Sequence, residues 1–451
     1  MPIGRRLSTL LLALVLLGAP AVVLRAFCLG NSCDAEGAQA QAAVPFCPLP
    51  RAMRQEIAAG FRQGRSPDVV ATVADDAGVW TLVGRTTRVP WPATSPQGVG
   101  TSLDGTRTPV VFFGEGIEPG APLERVRLDA IAPTLEAITG FRRPHPEVRT
   151  GTAVEGVATA RTEPIPLVVV IAWKGIGTGD LDAAPEGWPF LRGALARGAG
   201  TLEARTGSLP LDPAAVLTTI GTGGLPSSHG VTGTLVRDGE GTVRRAWSGP
   251  DGGSVIATFA DDLDHGNRGS ARVAAVVTDP TDRGIIGNGW YLDGRDRDTV
   301  ERSGMGARRP DRLARRIVAS EGLGTDQVTD VLGVVLAGPV GRIDAETGRV
   351  VDAVRREVPK ATFVVVGTGS LGEPAGVDAT SLTAGLDRAV GAPVTEAWAA
   401  GGLFLDRAEL TERSITAQQA ADALSRQRTA AGDQLFADVS PSFAVAFGKY
   451  C

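Results

Sequence analysis

The stretch IPLVVVIAWKGIG, residues 165–177, decides the fold. Its apolar residues follow one another without alternating with polar ones, and several are β-branched. A strand that is apolar on both faces is typical of a parallel sheet covered by helices on both sides. We therefore expect a buried central strand that ends at Lys174 and runs into a glycine-rich turn.

The same pattern recurs on both sides of this strand. Other apolar runs occupy residues 108–117, 331–338 and 362–369, and amphipathic helical segments separate them. One of these segments, residues 128–140, ends at Gly140, which suits a helix C-cap. Strands that alternate with helices predict an α/β fold, here a three-layer α/β/α sandwich with a mostly parallel central sheet.

Length and composition limit the function classes. The chain has 451 residues, a net charge of -5 and 43% hydrophobic residues, so we expect a globular protein without general affinity for nucleic acid. The length allows one large domain or several small ones, and we expect a single domain over residues 44–451. Only three histidines are present, His145, His229 and His265, which restricts any site that needs several imidazoles.

The first 43 residues predict export. Arg5 and Arg6 precede an apolar run over residues 7–24, and small residues suited to cleavage follow it. This segment is a signal peptide or, alternatively, an uncleaved membrane anchor. The four cysteines all lie near the chain ends, and cleavage would leave Cys47 and Cys451, which we expect to form a disulfide in the oxidising exterior.

Two further runs carry a family resemblance. They are LPLDPAAVLTTIGTGGLPSSHGVTG, residues 209–233, and TPVVFFGEGI with the helical segment after it. Together with residues 165–177 they resemble the alkaline phosphatase superfamily, and the branch they resemble most is the type I phosphodiesterase/nucleotide pyrophosphatase group. The resemblance implies an alkaline-phosphatase-like fold and hydrolysis of phosphoric esters by a Thr or Ser nucleophile and two metal ions, which the family holds with Asp and His.

The order of the matching segments differs from that of the family. Residues 44–141 resemble the family's C-terminal part, and residues 167–451 resemble its N-terminal part. We therefore expect a circular permutation in which residues 142–166 are the linker. The alternative is a pair of partial, unrelated α/β domains.

The family's site residues are missing at the matching positions. Leu211 stands where the nucleophile is expected, and Lys174 stands where the first metal-binding Asp is expected. Gly369, Ser370 and Gln97 replace other ligands, and Thr218 and Thr219 complete the expected vestigial pocket. We therefore expect no catalytic residue, no metal and no cofactor. We also expect Lys174 to meet a carbonyl or Thr hydroxyl of the turn that spans residues 207–219.

Three functions fit these residues. The first is an inactive phosphatase-like module at the cell envelope that binds a protein or a small anion or is structural. The second is an active metal-dependent phosphodiesterase or phosphatase with a relocated site, built from Thr206, Ser208, Thr218 or Thr219 and the carboxylates of residues 261–264, which otherwise form a solvated helix end. The third is an envelope scaffold for another protein. The sequence favours the first and identifies no particular ligand or partner.

Overall fold

The computed structural model describes most of the chain from Cys47 onward. The described residues are 47, 49–73, 79–83, 103–120, 123–249, 252–291, 298–371, 374–399, 401–428, 432 and 434–445. The N-terminal 43 residues, Gln97 and Cys451 lie outside them. Cys47 is disulfide-bonded, and its pairing with Cys451 remains a prediction.

A sheet of seven strands forms the centre of the fold. In spatial order the strands are β5 (Ala199–Arg205), β3 (Arg107–Gly114), β11 (Thr362–Gly367), β4 (Leu167–Lys174), β10 (Asp330–Ala337), β8 (Val273–Val277) and β9 (Thr299–Arg302). Only β3 runs antiparallel to its neighbours, while the remaining pairs are parallel. The expected mixed α/β fold with a mostly parallel sheet is confirmed, and β3 belongs to this sheet.

β4 lies at the middle of the sheet, which explains its unbroken apolar sequence. Val168 pairs with Thr362 of β11 on one side and with Val331 of β10 on the other. Successive side chains of a strand point to opposite faces. Both faces of β4 are covered, so every residue before Lys174 is buried.

Helices cover both faces of the sheet. The helices of the described chain are α1 (Arg51–Gly60), α2 (Ile131–Thr139), α3 (Thr178–Ala183), α4 (Pro189–Arg197), α5 (Pro213–Thr222), α6 (Pro226–His229), α7 (Phe259–Gly266), α8 (Pro310–Glu321), α9 (Val340–Glu357), α10 (Ala379–Val390), α11 (Arg407–Arg413) and α12 (Ala417–Ser425). One apolar layer contains residues of α2, α5 and α7. The other contains residues of α4, α8 and α9. The helix α2 ends as expected at Gly140, whose φ of 72° is left-handed.

A second sheet of four strands contains the first and the last strand of the described chain. Its order is β13 (Thr395–Ala399), β14 (Gly402–Leu405), β1 (Val69–Val73) and β15 (Phe436–Pro441). It has its own apolar cluster, to which α10 and α12 contribute. β1 therefore pairs with β15 and not with the central sheet.

Two short pairs of strands complete the described sheets. β2 (Val79–Val83) pairs in parallel with β12 (Pro374–Asp378), and β6 (Leu235–Arg237) pairs antiparallel with β7 (Val243–Arg245).

We predict residues 142–166 to be a linker, and in the structure this segment packs against α7. They contain one short 3-10 turn, Pro146–Val148. The side chains of Arg143 and Arg149 are buried against Asp262 of α7. The segment is therefore part of the packed structure in spite of its irregular backbone.

No helix among the residues that the structure describes has the length and apolarity needed to cross a membrane.

Candidate functional site

The carboxyl ends of β4 and β11 meet at one corner, where open α/β sheets commonly bind ligands. We call this the sheet corner and define it by Lys174, Leu211, Gly369 and Ser370. Backbone bonds tie the two strand ends together: Gly369 N–H donates to the Ile176 carbonyl at 3.1 Å, and Gly175 N–H donates to the Thr368 hydroxyl at 2.8 Å. The structure thus brings four of the expected site residues to one place.

Leu211 lies at the sheet corner, at the position where the family resemblance implies a hydroxyl nucleophile. Its side chain is fully buried and belongs to an apolar cluster with Ile57 and Val70. A Cβ placed on Gly369 would lie 3.1 Å from Leu211 Cδ2 and 2.9 Å from the Gly105 carbonyl oxygen. Gly369 also has a left-handed φ of 93°. Leucine at 211 and glycine at 369 therefore fit each other, and a carboxylate at 369 does not fit.

The turn after β11 adds further apolar and backbone atoms to the sheet corner. Ser370 N–H donates to the Gly105 carbonyl at 2.9 Å. The Cδ1 atom of Leu371 lies 3.2 Å from the position of a Cβ on Gly175. Backbone and apolar side-chain atoms therefore surround Gly175 and Gly369 closely.

Lys174 forms an ion pair with Asp282, and the expectation of a partner in the turn at residues 207–219 is wrong. The Lys174 ammonium lies 2.6 Å from Asp282 Oδ1. The other oxygen, Oδ2, accepts from the Thr278 hydroxyl at 2.6 Å and from the N–H groups of Thr278 and Asp279 at 2.9 Å. Asp282 is wholly buried. A buried carboxylate is a stronger partner for an ammonium than a neutral oxygen. This explains why Lys174 pairs with Asp282 and not with a carbonyl or hydroxyl of that turn.

Asp212, which the sequence analysis did not single out, follows Leu211 and caps α5. Its Oδ1 accepts from Ala214 N–H at 2.9 Å, and its Oδ2 accepts from Thr234 N–H at 2.7 Å. Burial raises the pKa of Asp212, while these bonds and the charge of Lys174 act in the opposite direction. The Asp-Pro pair at the start of an apolar segment is a signal for an N-cap and could have identified this role.

Thr218 and Thr219 lie inside the fold and do not complete a pocket at the sheet corner. Each hydroxyl donates to the carbonyl one turn earlier, at 2.8 Å to Ala214 and 3.1 Å to Ala215. His229 Nδ1 accepts from Val231 N–H at 3.1 Å, so Nε2 carries the proton and donates to Thr219 Oγ1 at 3.0 Å. Both hydroxyls therefore form hydrogen bonds within α5.

The acidic stretch at residues 261–264 is not a solvated helix end. Asp261, Asp262 and Asp264 are all buried. Asp261 accepts from the N–H and hydroxyl of Thr258 at the start of α7. Asp262 accepts from Arg143 at 2.8 Å and from Arg149 at 2.6 Å. A helix cap therefore explains the carboxylate of Asp261, and ion pairs explain that of Asp262.

The described residues do not fit the two metal ions that the family resemblance implies. Across the described part of the chain, no group of three or more His, Cys, Asp or Glu side chains is arranged to hold a metal ion. At the positions that the resemblance aligns with metal ligands, Lys174 and Gly369 offer neither a carboxylate nor an imidazole.

Among the comparisons with known proteins, the one with solved structures found similarity. No family model matches the sequence, and no curated protein matches it. Two crystal structures of the alkaline phosphatase PafA, the wild type and a mutant, are similar with TM-scores of 0.43 and identities of 16% and 14%. In each comparison the alignment covers 59% of this chain and 77% of the other.

Proposed function

We propose that this chain is an exported, catalytically inactive protein of the alkaline phosphatase superfamily that acts as a binding or structural module at the cell envelope. The observation that carries the proposal is the composition of the sheet corner. Phosphoryl transfer in this superfamily needs a nucleophile and two held cations. Leu211 has no attacking atom, and its contact with Gly369 leaves no room for a carboxylate.

Lys174 does not replace the missing metal charge. Its ammonium is 2.6 Å from Asp282 Oδ1, so its positive charge is already paired with a carboxylate. A neutralised cation gives little stabilisation to the charge that develops on a phosphoryl group. This ion pair supports inactivity independently of Leu211.

The test combines metal analysis with turnover. Purified protein is incubated with Zn²⁺, Mg²⁺ or Mn²⁺, freed of unbound metal and assayed with p-nitrophenyl phosphate and bis(p-nitrophenyl) phosphate. We expect no stoichiometric metal and no turnover, and Leu211→Thr should remain inactive because the metal ligands are still missing. Metal-dependent turnover that is lost in Thr206→Val or Asp264→Asn would contradict the proposal and support a relocated site.

We also infer that the chain is a circular permutation of the family order. The contact between β1 and β15 supports this, because it places the first and the last strand of the described chain side by side. Ile57 also packs in one cluster with Ala444 and Val445. A chain relinked from residue 451 to residue 47 and opened between Glu155 and Gly156, both exposed, should fold to the same structure by circular dichroism. A relinked chain that stays unfolded would contradict this inference.

A further inference from the structure

The loop between β9 and α8 carries the most exposed large apolar side chain that the structure describes. Met305 is 89% exposed, and no other large apolar side chain in the described part of the chain exceeds 59%. Two backbone bonds close this loop: Gly304 N–H donates to the Arg308 carbonyl at 2.8 Å, and Arg308 N–H donates to the Met305 carbonyl at 3.2 Å. The backbone therefore holds Met305 in solvent.

The segment around this loop is strongly basic. Residues 301–316 contain six arginines and two acidic residues, so the segment carries a net charge of +4 in a chain whose net charge is -5. Both acidic residues already have a partner within the segment. Glu301 pairs with Arg316 at 2.6 Å, and Asp311 pairs with Arg309 at 3.2 Å.

Three exposed cations beside Met305 have no acidic partner. Arg308, Arg312 and Arg342 are exposed, and none of them forms an ion pair with a described residue. The Arg312 guanidinium donates to the carbonyl of the residue after Met305, at 3.3 Å. Like charges that lie close together repel one another, so this surface is suited to an anionic partner.

A cavity of about 400 Å³ adjoins the loop at the carboxyl end of β10. Met305, Arg309, Arg342 and Arg349 contribute to its wall. The one carboxylate of this wall is Glu346, which Arg349 contacts closely and which lies 3.8 Å from Arg309. Three guanidiniums and one carboxylate leave the cavity with an excess of positive charge, which favours an anionic group such as a phosphate.

We propose that this surface, defined by Met305, Arg308, Arg312 and Arg342, docks the protein on a bilayer that contains anionic phospholipids. Met305 enters the boundary between headgroups and acyl chains, and the arginines meet lipid phosphates. Clustered arginines are attracted to an anionic leaflet, and an apolar group that enters the boundary adds to the binding. An acidic protein would account for the arginines alone, whereas a bilayer also accounts for the exposed Met305.

This inference rests on the envelope location proposed above and names the surface that makes the contact. It does not depend on the chemistry of the sheet corner. Failure to bind lipid would therefore leave the inactivity of the sheet corner untouched, and turnover at the sheet corner would leave the docking surface untouched.

The experiment measures the oxidation of Met305 by hydrogen peroxide in the native protein with vesicles of phosphatidylglycerol or of phosphatidylcholine. Peptide mass spectrometry gives the rate of sulfoxide formation. We expect Met305 to oxidise at least three times more slowly with phosphatidylglycerol, and high salt should remove this protection because it screens exposed charges. Met53 of α1 is the internal reference and should oxidise equally with both vesicles. Because the measurement is local, lipid binding by an N-terminal segment does not by itself protect Met305.

Paired variants locate the contact. Arg308→Gln combined with Arg312→Gln should abolish the protection, because each arginine near an anionic leaflet strengthens binding roughly fivefold. Arg142→Gln combined with Arg388→Gln removes the same charge from other exposed positions and should protect Met305 like the native protein. Both double variants should keep the native melting temperature, since all four side chains are exposed.

Three results would overturn the proposal. The first is an equal oxidation rate of Met305 with the two kinds of vesicle. The second is protection that survives in the variant with Arg308→Gln and Arg312→Gln. The third is equal protection by soluble polyglutamate, which would assign the surface to an acidic polymer.

Discussion

His229 is a fully buried histidine with both ring nitrogens in hydrogen bonds. Burial, with a smaller contribution from the charges of Arg65 and Arg62, lowers its pKa to about 3. The folded protein thus keeps His229 neutral, while the unfolded chain binds a proton below its ordinary pKa of about 6.5. Stability attributable to this residue is therefore complete above pH 6.5 and is lost as the pH falls towards 3.

We expect His229 to make the free energy of unfolding of the protein depend on pH. Between pH 6 and pH 4.5 the free energy of unfolding should fall by up to about 1.4 kcal/mol for each pH unit because of this residue. Urea denaturation of the native protein and of His229→Gln at several pH values measures the slope. The variant should be less stable, and its free energy of unfolding should depend less on pH. His145→Gln, at an exposed histidine, is the control and should keep the native slope. Equal slopes for native and His229→Gln would show that His229 is not the cause.

Leu211 and Gly369 form a matched pair at the sheet corner. Gly369→Asp restores a carboxylate but forces a side chain against Leu211 and the Gly105 carbonyl at a left-handed φ. We expect it to cost about 2 kcal/mol more than Gly391→Asp, since overpacking is added to backbone strain. Gly391 has a φ of 78° and open space around it. Chemical denaturation measures the free energy of unfolding of both variants.

A double-mutant cycle then tests the pairing itself. Leu211→Thr removes the two Cδ atoms, so the excess cost of Gly369→Asp should shrink in that background. Additive effects would mean that the two residues do not constrain each other.

At the scale of elements, two arginine side chains attach residues 142–166 to α7. Arg143 and Arg149 share the Oδ2 atom of Asp262, and Tyr291 donates to Oδ1 at 2.7 Å. Burial lowers the pKa of Arg143 to about 10, and the charge of Asp262 acts against this. Two guanidiniums with one carboxylate leave an excess of buried positive charge, so the carboxylate is indispensable.

We expect Asp262→Asn to destabilise the protein by about 3–5 kcal/mol, because it leaves buried guanidiniums without a counter-charge. The exposed pair of Arg272 and Asp326, 3.0 Å apart, supplies the control. Asp326→Asn should cost less than about 1 kcal/mol. Thermal and urea denaturation give both values, and residues 142–166 should become the first site of limited proteolysis in Asp262→Asn. A cost equal to that of the control would contradict this account of the segment.

The sequence predicted the elements better than the side-chain partners. The unbroken apolar run before Lys174 is a local pattern, and it correctly predicted a covered central strand. Asp282 is more than a hundred positions away from Lys174, so no local pattern could pair them. The capping motif at Asp279 and Asp282 is visible in the sequence, but it indicates only a turn. Arg143 could not be predicted as buried, because its partner Asp262 comes from a distant helix.

At the scale of the whole molecule, the first and the last strand of the described chain meet in the four-stranded sheet. β1 and β15 pair along their length. Arg237, a buried arginine of β6, connects this sheet to the rest of the fold. It bonds to Asp68 at 2.6 Å and to Glu396 at 3.0 Å.

We expect peptide mapping without reduction to find Cys47 linked to Cys451. Because such a bond closes nearly the whole chain, reducing it should lower the free energy of unfolding by about 2–5 kcal/mol. Cys451→Ser should be destabilised to the same extent and insensitive to reductant. Free Cys451 in the native protein, or Cys47 linked to another cysteine, would contradict this pairing.

The most direct test of inactivity at the sheet corner is the crystal structure of the protein soaked with Zn²⁺ and orthovanadate, with anomalous diffraction measured at the zinc edge. The account predicts no anomalous peak among Lys174, Leu211 and Gly369, and Lys174 still paired with Asp282. Two peaks about 4 Å apart, the spacing of a catalytic metal pair, with vanadate between them, would contradict it.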